Sequence, residues 1–181
     1  MALTLIKEDG SGKADANAYA NAYANAYASA ADGDAYHDGH LYATAWTGAT
    51  TGKKEAALVM ATRLIDAHFR FLGSRVSEAQ ALAWPRMGCP NPEMRRYLLP
   101  SSAVPTALVQ ATAETARALL VEDRTANPLG EGLKFTGLGD LQQSFDKSDR
   151  RPVLPRVAQA LLHGLGYYLE RGGAAVPLQR C

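Results

Sequence analysis

The chain is 181 residues long, with 47% hydrophobic residues, 20% charged residues and a formal net charge of +1. This composition excludes a disordered chain, and the length fits one folded domain, with or without an arm. The near-neutral charge argues against a nucleic-acid binder held by bulk positive charge. Two cysteines, Cys89 and Cys181, are too few for a disulfide scaffold or a CxxC motif. No apolar run approaches the ~18 residues of a membrane span, so we expect no membrane partner.

The N-terminal region contains the tetrapeptide ANAY three times in succession, over residues 16–27. A period of four is close to the helical 3.6, so Tyr19, Tyr23 and Tyr27 would share one slowly drifting helical face. Two interpretations are open. The tyrosines could form a ladder that stacks on bases or on a partner. Alternatively, the repeat could be an expanded insertion that lengthens a helix or a surface loop, and this is the interpretation we favour.

Three segments carry apolar residues at helical spacing. They are residues 53–72, which Gly73 would end, residues 103–122 and residues 153–169. A shorter helix would begin at Ser29, because the spacing S-x-x-D resembles a capping box.

The segment between the last two helices has a different character. Residues 124–151 are rich in glycine and end in a charged run; residues 133–136 alternate like a strand and would pair with residues 141–145. We therefore predict a mainly α fold, a small helical bundle with an extended C-terminal arm or β-hairpin and a terminal helix. The predicted division is a helical domain over residues 1–123, with the arm and terminal helix over residues 124–181.

The sequence contains no recognised catalytic pattern. The phosphate-loop pattern G-x-x-x-x-G-K-[ST] fails twice, because Lys7 stands at the first glycine position and Ala14 at the hydroxyl position. Asp34, His37 and His40 are spaced i, i+3, i+6 and would allow a metal site, but an exposed polar helix face explains them equally well. We therefore expect no enzymatic activity, no cofactor and no metal ion. A metal-dependent enzyme that uses these three residues is the weakest alternative.

Several strings in the chain resemble those of one family. Residues 80–86, QALAWPR, are the most specific, and residues 24–37, ANAYASAADGDAYH, resemble the family string ANSYVSLAEADAYH. Residues 55–66 match a further segment. These strings are similar to those of the head–tail adaptor, or head-completion, proteins of tailed bacteriophages. That family has one A-N-[SA]-Y unit where this chain has three, so Tyr19 and Tyr23 have no counterpart in it.

The resemblance implies a structural protein of the virion neck, synthesised in the host cytoplasm. It would form a ring, expected to be a dodecamer, between the portal protein and the next neck or tail protein. Genomic DNA would pass through the ring without specific binding. The implied interface lies in the QALAWPR string, where Trp84 and Pro85 would fix the direction of the chain, and in the arm. The candidate interface residues are Trp84, Pro85, Arg86, Leu133, Phe135, Leu141, Phe145, Arg150 and Arg151.

The same group of sequences is also described as DnaT-like single-stranded-DNA-binding proteins. In this alternative the protein is a replication accessory factor that stacks bases on Tyr19, Tyr23 and Tyr27 and contacts phosphates through arginines. The charge balance favours the adaptor. Residues 1–50 carry two basic and six acidic side chains, and an N-terminal tyrosine platform would therefore repel phosphates.

Overall fold

The computed structural model describes residues 4–8, 24–94, 96–126, 135–138, 141–144 and 151–169. Within these residues the helices are α1 (Ala30–His37), α2 (Thr44–Thr47), α3 (Thr51–His68), α4 (Thr106–Val121) and α5 (Arg156–Leu162). The strands are β1 (Phe69–Phe71), β2 (Ser74–Arg75), β3 (Arg86–Met87), β4 (Phe135–Leu138), β5 (Leu141–Ser144) and β6 (Gly166–Tyr168).

The strands in the described ranges pair as three separate two-stranded antiparallel sheets. β1 pairs with β6, β2 with β3, and β4 with β5. The architecture is therefore a mixed α/β domain, and the prediction of a mainly α fold is wrong. Strands of two to four residues are too short to show a period of two in the sequence. Two of them, β1 and β6, also continue apolar stripes that read as helix.

The end of α3 shows why the sequence predicts helix where the structure has a strand. The helix stops at His68, and the chain continues as β1, in which Phe69 and Phe71 are buried while Arg70 is exposed. An apolar–basic–apolar triplet suits one face of a strand as well as part of a helical stripe. Gly73, the predicted helix stop, instead lies in the turn after β1 with a φ of +70°, a conformation that favours glycine. The predicted terminal helix likewise shortens to α5, and its last turns become β6.

α1 begins with the capping box that the sequence predicts. The Ser29 hydroxyl accepts a hydrogen bond from the Asp32 N–H at 3.2 Å, and the Asp32 carboxylate accepts one from the Ser29 N–H at 2.7 Å. Gly33 then lets α1 lie directly against the indole of Trp46 in α2. A Cβ at Gly33 would be 2.3 Å from that ring, so no larger residue fits there without movement.

Two apolar clusters hold the helices and strands together. The smaller surrounds the indole of Trp46, with Leu58 of α3 and alanines of α3 and α4. The larger lies between α3, α4, α5 and β1, and its largest fully buried side chains are Tyr27, Ile65, Trp84, Leu108, Leu154, Leu162 and Leu165. Residues 154–165 therefore pack into the same core as α3 and α4. The division at residue 123 stays a prediction about folding units.

The predicted hairpin is present, with slightly different bounds. β4 and β5 pair with Phe135 opposite Ser144 and Leu138 opposite Leu141. Several candidate residues lie outside the described residues, namely Tyr19, Tyr23, Leu133, Phe145 and Arg150. Among the helices that the structure describes, none is both long and apolar enough to cross a bilayer.

Candidate functional site

Tyr27 is a core residue and not part of an exposed ladder. Its ring has no accessible surface, and its hydroxyl donates a 2.6 Å hydrogen bond to Asp66. The same oxygen accepts hydrogen bonds from the backbone N–H groups of Ala83 at 3.0 Å and Trp84 at 3.3 Å. Burial raises the pKa of Tyr27 well above its ordinary value, and the Asp66 carboxylate raises it further. A fully buried ring cannot stack on a base, so the stacking prediction is corrected for Tyr27.

The QALAWPR string also lies inward. Trp84 and Pro85 are buried, and Arg86 is half-buried. The Arg86 guanidinium donates to three backbone carbonyls, those of Leu72 at 2.7 Å, Gly73 at 2.6 Å and Ala83 at 3.1 Å. Trp84, Pro85 and Arg86 therefore stabilise the loop around β2 and β3 through contacts within one chain. The two buried residues can act only from inside the fold, and the assignment of the three residues to an interface stays a prediction.

The candidate metal ligands do not converge. Asp34 accepts a 2.7 Å hydrogen bond from Lys54 at the surface. His37 is buried, with its Nε2 atom 3.2 Å from the carbonyl oxygen of Ala113. His40 is half-buried on the turn after α1. Within the part of the chain that the structure describes, no group of three or more His, Cys, Asp or Glu residues is placed to hold a metal ion.

The β1–β6 sheet presents an arginine and a tyrosine side by side. Arg70 of β1 is directly opposite Tyr167 of β6 in the antiparallel register. Both side chains are exposed, and Tyr167 keeps 57% of its surface accessible. Directly opposed residues of an antiparallel pair have Cβ atoms about 4.5–5.5 Å apart. A planar cation and an aromatic ring are therefore neighbours on an open surface.

Packing beneath and beside this pair holds the sheet in place. The Tyr168 ring stacks on His68, with centroids 6.2 Å apart and planes 25° apart. Gly166 lets β6 approach β1 closely, because a Cβ there would lie 2.1 Å from the carbonyl oxygen of Arg70 and 2.7 Å from the Phe69 ring. The exposed pair therefore stands on a strand pair whose spacing is fixed by close contacts.

A cleft of about 720 Å³ opens beside the sheet, between α5 and β6. Its lining is mainly aromatic and apolar, with two polar side chains from α5 and its C-terminal end, and consists of Phe69, Gln159, Ala160, His163, Gly166, Tyr167 and Tyr168. The Gln159 amide nitrogen donates a 2.9 Å hydrogen bond to the Leu154 carbonyl, which orients the side chain. Phe69 and Tyr168 lie on the opposite face of the strand pair from Arg70 and Tyr167, and Tyr167 is also among the residues that line the cleft. We call the Arg70–Tyr167 pair together with this cleft the β1–β6 surface.

The segments that build the β1–β6 surface are locally basic. Residues 67–77 and 151–169 contain no Asp or Glu and four arginines, Arg70, Arg75, Arg151 and Arg156. Arg151 is ion-paired with Glu122. The other three arginines take part in none of the ion pairs found among the described residues. These two segments therefore carry a positive charge in a chain whose net charge is +1, although Asp66, Glu78 and Glu170 adjoin them in the sequence.

A comparison with protein families gives a match over nearly the whole chain. Residues 3–181 match the family described as "Putative DnaT-like ssDNA binding protein". The chain belongs to this family. No curated protein and no solved structure matches it. The match agrees with the DnaT-like description of these sequences and lends no support to the adaptor description, which stays a prediction.

Sequence reasoning on this DnaT-like chain missed Arg70 and Tyr167. Both residues fall near the ends of segments predicted as helix, where exposed side chains are common. The available signal was local: the alternating triplet at residues 69–71, and the glycine-flanked aromatic pair at residues 166–168. The near-neutral net charge of the whole chain also gives no indication that residues 67–77 and 151–169 contain no Asp or Glu.

Proposed function

We propose that this protein binds single-stranded DNA through the β1–β6 surface. The observation that carries the proposal is the exposed pairing of Arg70 with Tyr167 across two antiparallel strands. A base stacked on an aromatic side chain contributes about 1–3 kcal/mol, and every base can stack because each has a flat face. An arginine beside the ring is placed to hold the phosphate that follows the stacked base.

α5 extends this surface with a second cation. Arg156, Ala160 and His163 are spaced i, i+4, i+7, so they lie along one face of α5 and its C-terminal end. Ala160 and His163 line the cleft, and the exposed Arg156 lies one turn further along the same face. Arg156 therefore lies near the cleft on the helix side, and Arg70 is the cross-strand partner of Tyr167, one of the lining residues. This arrangement suits a strand whose phosphates alternate with flat bases.

The same features favour single strands over duplexes. Bases in a duplex stack on one another, so their faces are not available to Tyr167, whereas the bases of a single strand are. With two or three arginine–phosphate contacts, log K should fall against log salt concentration with a slope of about −1.4 to −2.1, because each contact contributes about −0.7 on a single strand. The charge term is therefore modest, and stacking carries much of the affinity.

Fluorescence anisotropy with a labelled oligo(dT) and a duplex of equal length tests the proposal directly. We expect tighter binding of the single strand at every salt concentration, with a slope in the range above. Equal affinity for the two forms, or no binding at low salt, would show that the β1–β6 surface has another purpose.

A ring-forming connector of tailed phages is the second candidate. Two separate loops expose apolar side chains: Leu41 and Tyr42, accessible to 82% and 74%, follow α1, while Tyr97 and Leu98 precede α4. A ring closed by rotation needs two different complementary patches on each subunit, and these loops supply two candidates. The portal protein, the next neck protein and a position in the virion neck are part of this second proposal.

Light scattering separates the two candidates. The protein is measured alone and after mixing with its portal protein, with a labelled single-stranded oligonucleotide present. A ring-sized complex that forms with the portal and leaves the oligonucleotide free would favour the connector. Oligonucleotide binding without portal association would favour the DNA-binding function.

A further inference from the structure

We infer that the cleft between α5 and β6 holds one nucleobase of the bound strand, turned aside from the path over Tyr167. This inference rests on the proposed single-stranded-DNA binding and adds a specific pocket to it. The cleft is an open depression of about 720 Å³, so a flat base can enter it from solvent while its sugar stays outside.

The lining provides flat apolar surfaces in fixed orientations. Phe69 is almost fully buried, so packing holds its ring in place. Tyr168 is held from one side by its stacking on His68. A flat ring that enters the cleft therefore meets the half-buried Tyr168 ring, which need not reorder, and this reduces the entropy that binding costs. The buried Phe69 ring supports the cleft from below.

A polar group is also available for the edge of the base. The Gln159 amide nitrogen is committed to the Leu154 carbonyl at 2.9 Å, which leaves the amide oxygen of Gln159 as an acceptor for a ligand. Each of the four bases carries an N–H donor on the edge that is exposed in an unpaired strand. An acceptor of this kind can therefore serve any base, which agrees with binding that depends little on sequence.

Charge complementarity favours a nucleic-acid occupant over an apolar peptide. Arg156 lies one turn from the lining residue Ala160 on α5, Arg70 is paired with the lining residue Tyr167, and residues 67–77 and 151–169 contain no Asp or Glu. A base turned into the cleft leaves its two phosphates outside, within the field of these arginines. An apolar peptide segment would gain nothing from either cation.

Ala160 provides a way to fill the cleft without disturbing the core. Its side chain lines the cleft and is exposed, so the larger indole of Ala160→Trp would occupy the space that the base needs. Ala35→Trp is a matched control, because Ala35 is an exposed alanine on α1. Circular dichroism and thermal unfolding establish that both variants fold like the wild type.

The experiment measures the affinity of each protein for a short oligo(dT) and for an abasic strand of equal length. The wild type should bind oligo(dT) more tightly than the abasic strand. Ala160→Trp should lose about tenfold in affinity for oligo(dT) and little for the abasic strand, while Ala35→Trp should match the wild type for both.

Two results would overturn the pocket while leaving DNA binding intact. One is an Ala160→Trp variant that binds oligo(dT) as the wild type does. The other is an equal loss for oligo(dT) and the abasic strand, since that pattern indicates a general disturbance of the surface. Failure of the proposed function itself looks different, because the wild type would then bind neither strand.

Discussion

The hydroxyl of Tyr27 donates a 2.6 Å hydrogen bond to one carboxylate oxygen of Asp66, and the Ala83 N–H contacts both groups, at 3.0 Å and 3.1 Å respectively. Three distant parts of the chain meet here: the segment before α1, the last turns of α3 and the loop before β3. Burial raises the pKa of Asp66, and the hydrogen bonds from Tyr27 and Ala83 only partly oppose that rise. The hydrogen bonds of the Tyr27 hydroxyl therefore hold these three segments together within the larger core.

Replacing Tyr27 by phenylalanine should destabilise the fold by about 1–3 kcal/mol, because the carboxylate of Asp66 and two backbone N–H groups lose a buried partner. Urea denaturation measures the loss. Tyr42→Phe is the control, since Tyr42 is largely exposed and its change should leave the stability unaltered. The folded Tyr27→Phe protein should bind single-stranded DNA as the wild type does. Weaker DNA binding at unchanged stability would restore the tyrosine-ladder hypothesis.

The exposed pair of the β1–β6 surface can be tested one side chain at a time. Tyr167→Ala should weaken oligo(dT) binding by about 1–3 kcal/mol, because a stacking surface is removed. Arg70→Ala should weaken binding and also make the salt slope shallower by about 0.7, because one phosphate contact is lost. Anisotropy titrations at several salt concentrations measure both effects.

Matched controls for this pair are available on other surfaces. Tyr42→Ala removes an exposed tyrosine from the loop after α1, and Arg63→Ala removes an exposed arginine from α3. Both controls should bind oligo(dT) as the wild type does. If Tyr42→Ala weakened binding as much as Tyr167→Ala, the strand would follow another path and the assignment to β1 and β6 would fail.

Acidification should destabilise the protein through His37. Burial lowers the pKa of His37, with Arg117 and His40 adding to the effect, while the Ala113 carbonyl and the Glu114 carboxylate oppose it. Protonation would place an N–H at Nδ1, which has no hydrogen-bond partner among the described residues. Since the pKa in the folded state lies below the unfolded value of about 6.5, this stability is fully present above that pH. It is lost progressively as the pH falls towards the folded pKa.

The His37→Gln variant checks this source of pH dependence. The glutamine can keep a donor for the Ala113 carbonyl but takes up no proton. Free energies of unfolding, measured by urea denaturation at a series of pH values below neutral, should fall less steeply for the variant than for the wild type. His163→Gln serves as the comparison, since His163 is exposed. Identical slopes for wild type and His37→Gln would assign the acid sensitivity to other groups.

Two helical glycines should respond in opposite directions to the same substitution. Gly33→Ala places a methyl group 2.3 Å from the Trp46 ring and should destabilise the protein by roughly 1–3 kcal/mol through overpacking. Gly52→Ala meets no atom within 4 Å and should stabilise α3 by up to about 1 kcal/mol, since alanine loses less backbone entropy than glycine. Thermal unfolding of the two variants measures both effects. A drop in melting temperature for Gly52→Ala would contradict the open space seen at that position.

The parts of the fold that sequence reasoning found are those with local signals. α3 and α4 carry long apolar stripes, and the reciprocal hydrogen bonds of Ser29 and Asp32 follow from a spacing of three residues. The β4–β5 hairpin has one glycine between its two strands in the sequence. In each of these cases the interacting residues are close in the sequence, so the pattern and its partner can be read together.

The candidate site has a local signal for each of its two strands but none that pairs the strands with each other. Arg70 and Tyr167 are paired across roughly a hundred residues of chain, and three-residue strands contain no period that identifies a distant partner. The burial of Tyr27 could not be predicted from the sequence for a related reason. Its repeat unit is identical to the two before it, so the sequence does not reveal that the Tyr27 hydroxyl is hydrogen-bonded to Asp66 and Ala83. The environment of Tyr27 is tertiary and leaves no trace in the repeat itself.

The pairing of β1 with β6 also bears on how the protein is made. During translation, Phe69 and Phe71 leave the ribosome well before β6 and the core leucines of α5. At about 5–20 residues per second, roughly 5–20 s pass before residue 168 has been added. Through that interval the nascent chain carries an unpaired strand beside an incomplete core, the kind of surface that chaperones bind. The proposed nucleic-acid surface does not yet exist at this stage, so the proposal implies that a newly made chain cannot engage DNA until β1 and β6 have paired.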